Sequence, residues 1–381
     1  MTIDELISKK CNVRTNLSDT RLQYIDKAIR SVLLKNEIEM KVIGTDYVFP
    51  RILQNSNGEK ALIWDKTYWE LYRDFLISLA DMNSEQKKIN VFFHKDEIST
   101  HHPRILVPIS YYLALIVKEQ SLAINFAKYY YQRVRTACAI RLGMPLNDIL
   151  RYIEIAKLYI AVHEQMHFQY KHDDCKRKID MDSLKKQLDL ASQLIEGYDE
   201  EFCKTKYLKN KNELLEIVHF AYSDNRIQEE LLCDTYALNN CFFVYGKCWG
   251  KEYTKKEIVT NCIEAIHIVN YFNSLLISLR IFWLDSSCNM NNVDMFRETT
   301  ALRVYLYEFI SAIQLVQQNL YDYYDNNLWK FDGFEDNYFL EDTIYSYFFS
   351  EEAIYYWNGM SDETAHNDKE FLDKFKLLNW R

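Results

Sequence analysis

The sequence predicts a mainly α-helical protein, of α+β type, with a small mixed α/β region at its N-terminal end. The 381-residue chain contains only 8 Gly and 4 Pro. No proline follows Pro145, so most of the chain has few of the residues that the turns of β folds require. Apolar residues recur at helical spacing from about residue 110 onward, whereas the preceding part mixes β-branched runs with turn signals.

The N-terminal region is expected to hold both helices and strands. Helical spacing of apolar residues covers 19–34 and 67–80, while 37–49 and 89–94 are rich in β-branched and aromatic residues and predict strands. The sequence Asn-Ser-Asn-Gly at 55–58 indicates a turn. A stretch with two prolines, 96–108, is the best domain boundary. We therefore expect a mixed region at 1–108 and a helical domain at 109–381.

The helical domain is expected to contain seven helices. Gly143 to Asp148 looks like a helix stop followed by a new N-cap, and the lysine-rich segment 204–211 is expected to be an exposed linker. The acidic, aromatic tail from Tyr321 is expected to form a packed C-terminal cap, the alternative being a surface for a basic partner. The predicted helices span about 110–142, 148–171, 181–196, 211–222, 225–246, 254–284 and 292–322.

Charge and cysteine content exclude some classes of function. The chain has 46 Lys+Arg against 55 Asp+Glu and a formal net charge of −9, which argues against nonspecific binding to nucleic acid. Its 9 cysteines are odd in number and form no CxxC pair, which is typical of reduced thiols in the cytoplasm. We see neither an N-terminal signal peptide nor an apolar run long enough to span a bilayer. The expectation is a cytoplasmic protein without a membrane segment.

One motif carries chemistry. Residues 163–167 read His-Glu-Gln-Met-His, the HExxH pattern. On a helix, positions i and i+4 share one face, so the imidazoles of His163 and His167 can bind one metal ion. Glu164 would then lie beside the open metal position, where a carboxylate can accept a proton from metal-bound water. The motif therefore predicts a zinc site with Glu164 as the catalytic base.

The surroundings of the motif support this prediction. Apolar residues precede the two histidines at i+3/i+4 spacing, and a second apolar line follows a neighbouring face, so the helix is predicted to be buried nearly all round. Two imidazoles and a carboxylate on a buried helix need partners, which a metal would supply. The alternative is a pair of hydrogen-bonded core histidines. The two apolar lines are Ile149, Ile153, Ala156, Ile160 and Ile155, Leu158, Val162, Met166.

A catalytic zinc site needs a third protein ligand. Glu230 and Asp234 are also i and i+4 on a predicted helix, in a segment too apolar for a surface helix. Glu230 is the predicted third ligand, and Asp234 is expected to accept the free ring N–H of a ligand histidine and fix its orientation. Glu229 is the alternative ligand. A solvated helix face is the alternative for the whole segment.

The two motifs together resemble those of the gluzincin zinc metallopeptidases, and most closely the Lit family of bacterial phage-exclusion peptidases. That family shows HExxHxxxxH followed by QEExxxDxxA, which correspond here to His163 through His172 and Gln228 through Ala237. The segment 61–75 also resembles a family segment that precedes the catalytic helix. The interval between His167 and Glu230 is longer than the family's. It would be a substrate-facing insertion, or it would mean that Glu230 is not the ligand.

The resemblance implies a cytoplasmic zinc endopeptidase that cleaves a protein or peptide substrate, in phage defence by abortive infection. Such enzymes also use a His or Tyr to stabilise the oxyanion. The alternatives are a helical sensor or interaction protein with a structural or vestigial metal site, in which His172 could be a fourth ligand, and a metal-dependent hydrolase of a non-peptide bond. The candidates for oxyanion stabilisation are His219, Tyr222, Tyr236 and His267.

Overall fold

The computed structural model describes residues 1–11, 13–16, 29, 37–45, 49–66, 68–69, 71–73, 76, 146–207, 210–284, 290–320 and 322. The chain divides into two compact units. One comprises Met1–Trp69, Leu150–Tyr271 and Glu298–Trp329, and the other comprises Glu70–Ile149, Phe272–Arg297 and Lys330–Arg381. The described part is mainly helical with one small sheet, which confirms the predicted fold class.

The first unit begins with a helix and a four-stranded sheet. Its elements are α1 (Ile3–Cys11), β1 (Val13–Asn16), β2 (Ile38–Thr45), β3 (Arg51–Gln54) and β4 (Lys60–Asp65), and the strand order is β1-β2-β4-β3. β2 pairs in parallel with β4, and the other two pairs are antiparallel. β2 is shorter than the strand predicted at 37–49, and the sequence analysis missed the other three strands because each has only four to six residues.

β4 is a central strand and is buried from Ala61 to Asp65. Because side chains alternate along a strand, one face of the sheet meets α1 and the other carries Trp64, which stacks on Trp69 with ring centroids 4.7 Å apart. The core between α1 and the sheet consists of Ile3, Leu6, Ile7, Ile43, Leu53, Ala61 and Ile63.

The predicted turn at 55–58 joins β3 to β4. The Asn55 side-chain oxygen accepts hydrogen bonds from the backbone N–H groups of Asn57 and Glu59, at 3.0 and 2.9 Å. Gly58 has φ of 85°, a conformation that glycine adopts at no steric cost. An asparagine and a glycine at these positions therefore fix the hairpin.

Seven further helices follow in the described part of the chain. They are α2 (Leu146–His172), α3 (Asp174–Gly197), α4 (Glu200–Tyr207), α5 (Lys211–Ser223), α6 (Asn225–Trp249), α7 (Lys255–Leu284) and α8 (Met290–Gln317). Five of the predicted helices match α2, α5, α6, α7 and α8 in position. The prediction at 181–196 covers only the second part of α3, which begins directly after α2 because Asp173 caps its N-terminus through the N–H of Lys176, at 2.9 Å.

Two predictions in this region were wrong. The lysine-rich segment 204–211 was expected to be a linker, but its first residues belong to α4, whose buried Cys203 anchors the helix. α8 ends at Gln317 rather than near residue 322, because Asn319 adopts φ of 53° and the Leu320 N–H bonds to the Leu315 carbonyl at 2.7 Å. A left-handed residue with this hydrogen bond is a common helix stop.

The helices that carry the site are deeply buried. α2 is buried from Ile155 through His163, and α7 is buried at every position from Ile258 to Asn270. α3 packs against α5, and α6 packs against both. In the second unit, the rings of Tyr72 and Phe272 pack with centroids 5.3 Å apart. None of the helices described here has the length and apolar character needed to cross a membrane.

Several predicted elements lie outside the described residues. They are the strand at 89–94, the helix at 110–142, the boundary at 108/109 and most of the tail from Tyr321. Of the helix predicted at 19–34, only Ile29 is described, and it is helical and buried. Of the helix predicted at 67–80, the described positions are helical.

Candidate metal centre

Two histidines of α2 face each other across one helical turn. The Nε2 atoms of His163 and His167 are 3.0 Å apart. The His163 side chain is buried, and 26% of the His167 side chain is exposed. Two neutral imidazoles can approach so closely only if one nitrogen carries a proton, because two lone pairs repel. The arrangement therefore calls for a proton or a cation between the rings.

α6 brings a carboxylate to the same place. Glu230 Oε1 lies 3.2 Å from Nε2 of His167, and Glu230 Oε2 lies 3.4 Å from Nε2 of His163. α6 starts one turn earlier, where the Asp224 side chain accepts the N–H groups of Arg226 and Ile227. The structure thus brings together the three ligands predicted from sequence. Within the described residues, they form the one group of His, Cys, Asp or Glu residues whose ligating atoms all lie within 4.8 Å of one another.

The donor set fits zinc. Two imidazole nitrogens and one carboxylate are a ligand set of catalytic zinc sites, in which a water or substrate takes the fourth position. Two unprotonated Nε2 atoms would repel each other at this distance, whereas both can bind a single cation placed between them. His163, His167 and Glu230 are therefore the residues that would hold the metal.

Asp234 orients His163. Its Oδ1 atom lies 2.9 Å from Nδ1 of His163, on the side of the ring opposite Glu230. Asp234 is 1% exposed. It also contacts the hydroxyl of Tyr159, which lies 2.9 Å from the side-chain oxygen of Asn270. Asp234 thus lies where its predicted role requires it, because a carboxylate on the outer nitrogen would fix which ring nitrogen is free for a metal.

Burial and neighbouring charges shift the pKa values of His163 and Asp234 in opposite directions. With no metal ion at the site, burial alone would lower the pKa of His163, but its contacts with Asp234 and Glu230 raise it to about 9. Burial alone would raise the pKa of Asp234, but the Arg303 guanidinium and His163 lower it to about 2. Asp234 is therefore ionised at neutral pH, and it keeps Nδ1 of His163 protonated.

Glu229, the alternative ligand, contacts the other histidine from its outer side. Glu229 Oε1 lies 3.1 Å from Nδ1 of His167, and Glu229 Oε2 lies 2.9 Å from Nη2 of Arg177. Glu229 thus stands to His167 as Asp234 stands to His163. In this position it lies away from the Nε2 atoms, where Glu230 lies. Arg177 is on α3, within the interval between His167 and Glu230.

Glu164 follows His163 on α2 and is partly buried. Burial raises its pKa, although the nearby His163 and His167 act to lower it. A raised pKa makes a carboxylate a stronger proton acceptor, which is the property that a general base uses.

A third helix, α8, contributes Arg303, which contacts two acidic residues of α6, Glu230 and Asp234. Its Nη1 atom is 2.7 Å from Glu230 Oε2, while Nε and Nη2 lie 2.9 and 2.6 Å from the two oxygens of Asp234. Burial acts to raise the pKa of Glu230, but Arg303 and the two histidines lower it well below its ordinary range. Glu230 is therefore a carboxylate, the form that binds metal.

The sequence analysis missed Arg303, Tyr159, Asn270 and Arg177. Tyr159 had a visible signal, since it lies one helical turn before His163 on the same face of α2. Arg303 and Asn270 interrupt apolar stretches of α8 and α7, which marks them as polar groups in need of partners. Their position relative to the histidines could not be read from helical spacing.

The four candidates for oxyanion stabilisation occupy different places. His219 is exposed on α5, and the Tyr222 hydroxyl donates to the Lys185 carbonyl at 2.9 Å. Tyr236 is exposed and lies under the ammonium group of Lys176. His267 is buried near the ring of Tyr307. His172 ends α2, is exposed and packs on Phe168 with centroids 4.5 Å apart.

No protein-family model, no curated protein and no solved structure matches the chain.

Proposed function

We propose that the protein is a zinc-dependent cytoplasmic endopeptidase that hydrolyses a peptide bond in a protein substrate and acts in phage defence by abortive infection. The observation that carries the catalytic part is the convergence of His163, His167 and Glu230 beside Glu164. The role in phage defence rests on the resemblance of the two motifs to those of the Lit family.

Each residue of the candidate metal centre has a separate role in the proposed reaction. His163, His167 and Glu230 would hold the metal, and Asp234 would keep the His163 ring in the orientation that leaves Nε2 free. When bound, zinc supplies a water of lowered pKa and polarises the scissile carbonyl. Glu164 would serve as the general base, taking a proton from the attacking water and delivering it to the leaving amine. Burial of the site strengthens each of these electrostatic interactions.

The first experiment measures zinc content by elemental analysis of protein purified without added metal. We expect about one zinc ion per chain, as a three-ligand site requires. Glu230→Ala should lose the metal. Glu229→Ala should retain it, because Glu229 contacts His167 at the outer nitrogen Nδ1 and not at Nε2. A folded, helical wild-type protein without zinc would overturn the proposal, and zinc loss in Glu229→Ala alone would exchange the roles of the two glutamates.

The second experiment tests the reaction. Glu164→Gln removes the proton acceptor and leaves the three ligands in place, so zinc content should stay the same while hydrolysis falls by about 10²- to 10⁴-fold. New protein N-termini can be compared in cell lysates incubated with wild type or with this variant. N-termini that appear only with wild type identify the cleaved protein. Identical sets of N-termini would contradict peptidase activity.

A second candidate function is favoured by Arg303. Its guanidinium pairs with both Glu230 and Asp234, so the cluster could serve as a polar core of a helical interaction protein with a structural or vestigial metal site. The Glu164→Gln comparison separates the two candidates, because in the second candidate this variant has no effect on any reaction, whether or not the site holds zinc.

A further inference from the structure

Among the described side chains around the candidate metal centre, Arg303 is the one cation that comes from α8. Its guanidinium contacts two acidic residues of α6, Asp234 and Glu230. Two of its nitrogens bind Asp234 side by side, and the third reaches Oε2 of Glu230 at 2.7 Å. Paired N–H groups on a carboxylate are among the most directional ion pairs in proteins. The guanidinium is therefore fixed by Asp234 and presents Nη1 to Glu230 at a defined position.

Because of this contact, the two carboxylate oxygens of Glu230 have different neighbours. Oε2 contacts Nη1 of Arg303 at 2.7 Å and lies farther, at 3.4 Å, from Nε2 of His163. Oε1 faces Nε2 of His167 at 3.2 Å. A glutamate free of such a partner can turn and offer both oxygens to a cation. One held through Oε2 offers mainly Oε1.

We propose that Arg303 is a positioning residue that restricts Glu230 to binding the metal through one oxygen and so keeps a coordination position open for water. The inference rests on the proposed zinc site. It assigns Arg303 a role in the geometry of that site, in addition to neutralising the buried Asp234.

The role depends on the shape of the guanidinium as well as on its charge. A lysine ammonium is a single point charge on a flexible chain, so it can pair with Asp234 or with Glu230 but cannot hold both in a fixed fork. Arg303→Lys therefore separates geometry from charge, and Arg303→Met removes both. A matched control is Arg151→Met on α2, which removes a partly buried arginine that binds the Tyr253 hydroxyl at 2.8 Å, away from the site.

The test uses the full-length protein loaded with Co²⁺ in place of zinc. Visible absorption of Co²⁺ is intense in four-coordinate sites and weakens as the coordination number rises. We expect an intense spectrum in wild type and in Arg151→Met, and a weaker spectrum in both Arg303 variants, because Glu230 then binds through two oxygens. Zinc affinity, measured by competition with a chelator, should fall about 10- to 100-fold in the Arg303 variants, as for other groups that orient metal ligands.

The outcomes separate the inference from the proposed function. Absence of any Co²⁺ or zinc binding in wild type overturns both. A wild-type site with an intense spectrum that is unchanged in Arg303→Lys overturns the positioning role and leaves the zinc site standing. If Arg303→Met fails to fold because the buried Asp234 loses its arginine, Arg303→Lys carries the test alone, since it keeps a cation beside Asp234.

Discussion

The two histidines of the candidate metal centre have the same kind of support in different surroundings. Each is contacted on its outer nitrogen by a carboxylate from α6, and each carboxylate is held by an arginine from another helix. His163, Asp234 and Arg303 form the inner side, where Asp234 is 1% exposed. His167, Glu229 and Arg177 form the outer side, where the side chains of the last two are 26% and 35% exposed.

The difference indicates that one arrangement serves two purposes. An ion pair in water contributes little to stability because both charges are well solvated and screened. A buried charge that loses its partner is costly, because it was removed from water when the chain folded. We therefore expect the inner side to stabilise the fold and the outer side mainly to orient a ligand.

A second comparison, between two buried histidines, shows the effect of partners. His163 and His267 are 7% and 5% exposed. The pKa of His163 is raised to about 9, because its carboxylate contacts outweigh burial, whereas burial lowers the pKa of His267 to about 3. Burial alone therefore does not decide whether a histidine carries a proton.

The largest expected effect is that of Asp234→Ala. The change leaves Arg303 partly buried with one of its two partners and removes the group that holds His163, so the free energy of unfolding should fall by about 3–5 kcal/mol. It can be measured by urea denaturation in the presence of a chelator. Glu229→Ala is the control from the outer side, with an expected loss of about 1 kcal/mol or less. Equal losses in the two variants would refute the division into two sides.

Sequence reasoning could predict the local part of the site. The i, i+4 spacing on α2 and α6 places His163, His167, Glu230 and Asp234 correctly on their helices, since helical geometry fixes which residues share a face. It could not assign Glu229 to the outer nitrogen of His167, because two adjacent glutamates on a helix differ only in the direction in which they point.

The rest of the structure depends on contacts between distant segments. Arg303 reaches Asp234 from a helix far along the chain, and nothing in its own neighbourhood specifies that partner. The strands β1, β3 and β4 are too short for their periodicity to be distinct, and β4 is buried on both faces, which removes the alternation that identifies a strand. The hairpin turn was visible because a single asparagine and a single glycine determine it.

An intermediate effect is expected from His267, which is buried near the ring of Tyr307. Its folded pKa of about 3 lies below the ordinary value of 6.5, so the unfolded chain binds more protons between these values. Its contribution is therefore present in full above pH 6.5 and is lost as the pH falls toward 3. The free energy of unfolding falls between pH 6.5 and pH 4.5, and in His267→Phe this decrease should be smaller by about 2 kcal/mol. Denaturation at several pH values measures this, with His219→Gln as the control for losing an exposed histidine, and an unchanged acid slope would contradict it.

The smallest expected effect on stability is that of Arg177→Met on the outer side. Arg177 contacts Glu229 at 2.9 Å with both side chains partly exposed, so the free energy of unfolding should fall by about 0.2–1 kcal/mol, and the difference from wild type should disappear near 1 M salt. The same pair still orients His167. Glu229→Gln should therefore weaken zinc binding about tenfold while leaving stability nearly unchanged. A loss of stability as large as that of Asp234→Ala, persisting in salt, would show that the exposed ion pair supports the fold as the buried one does.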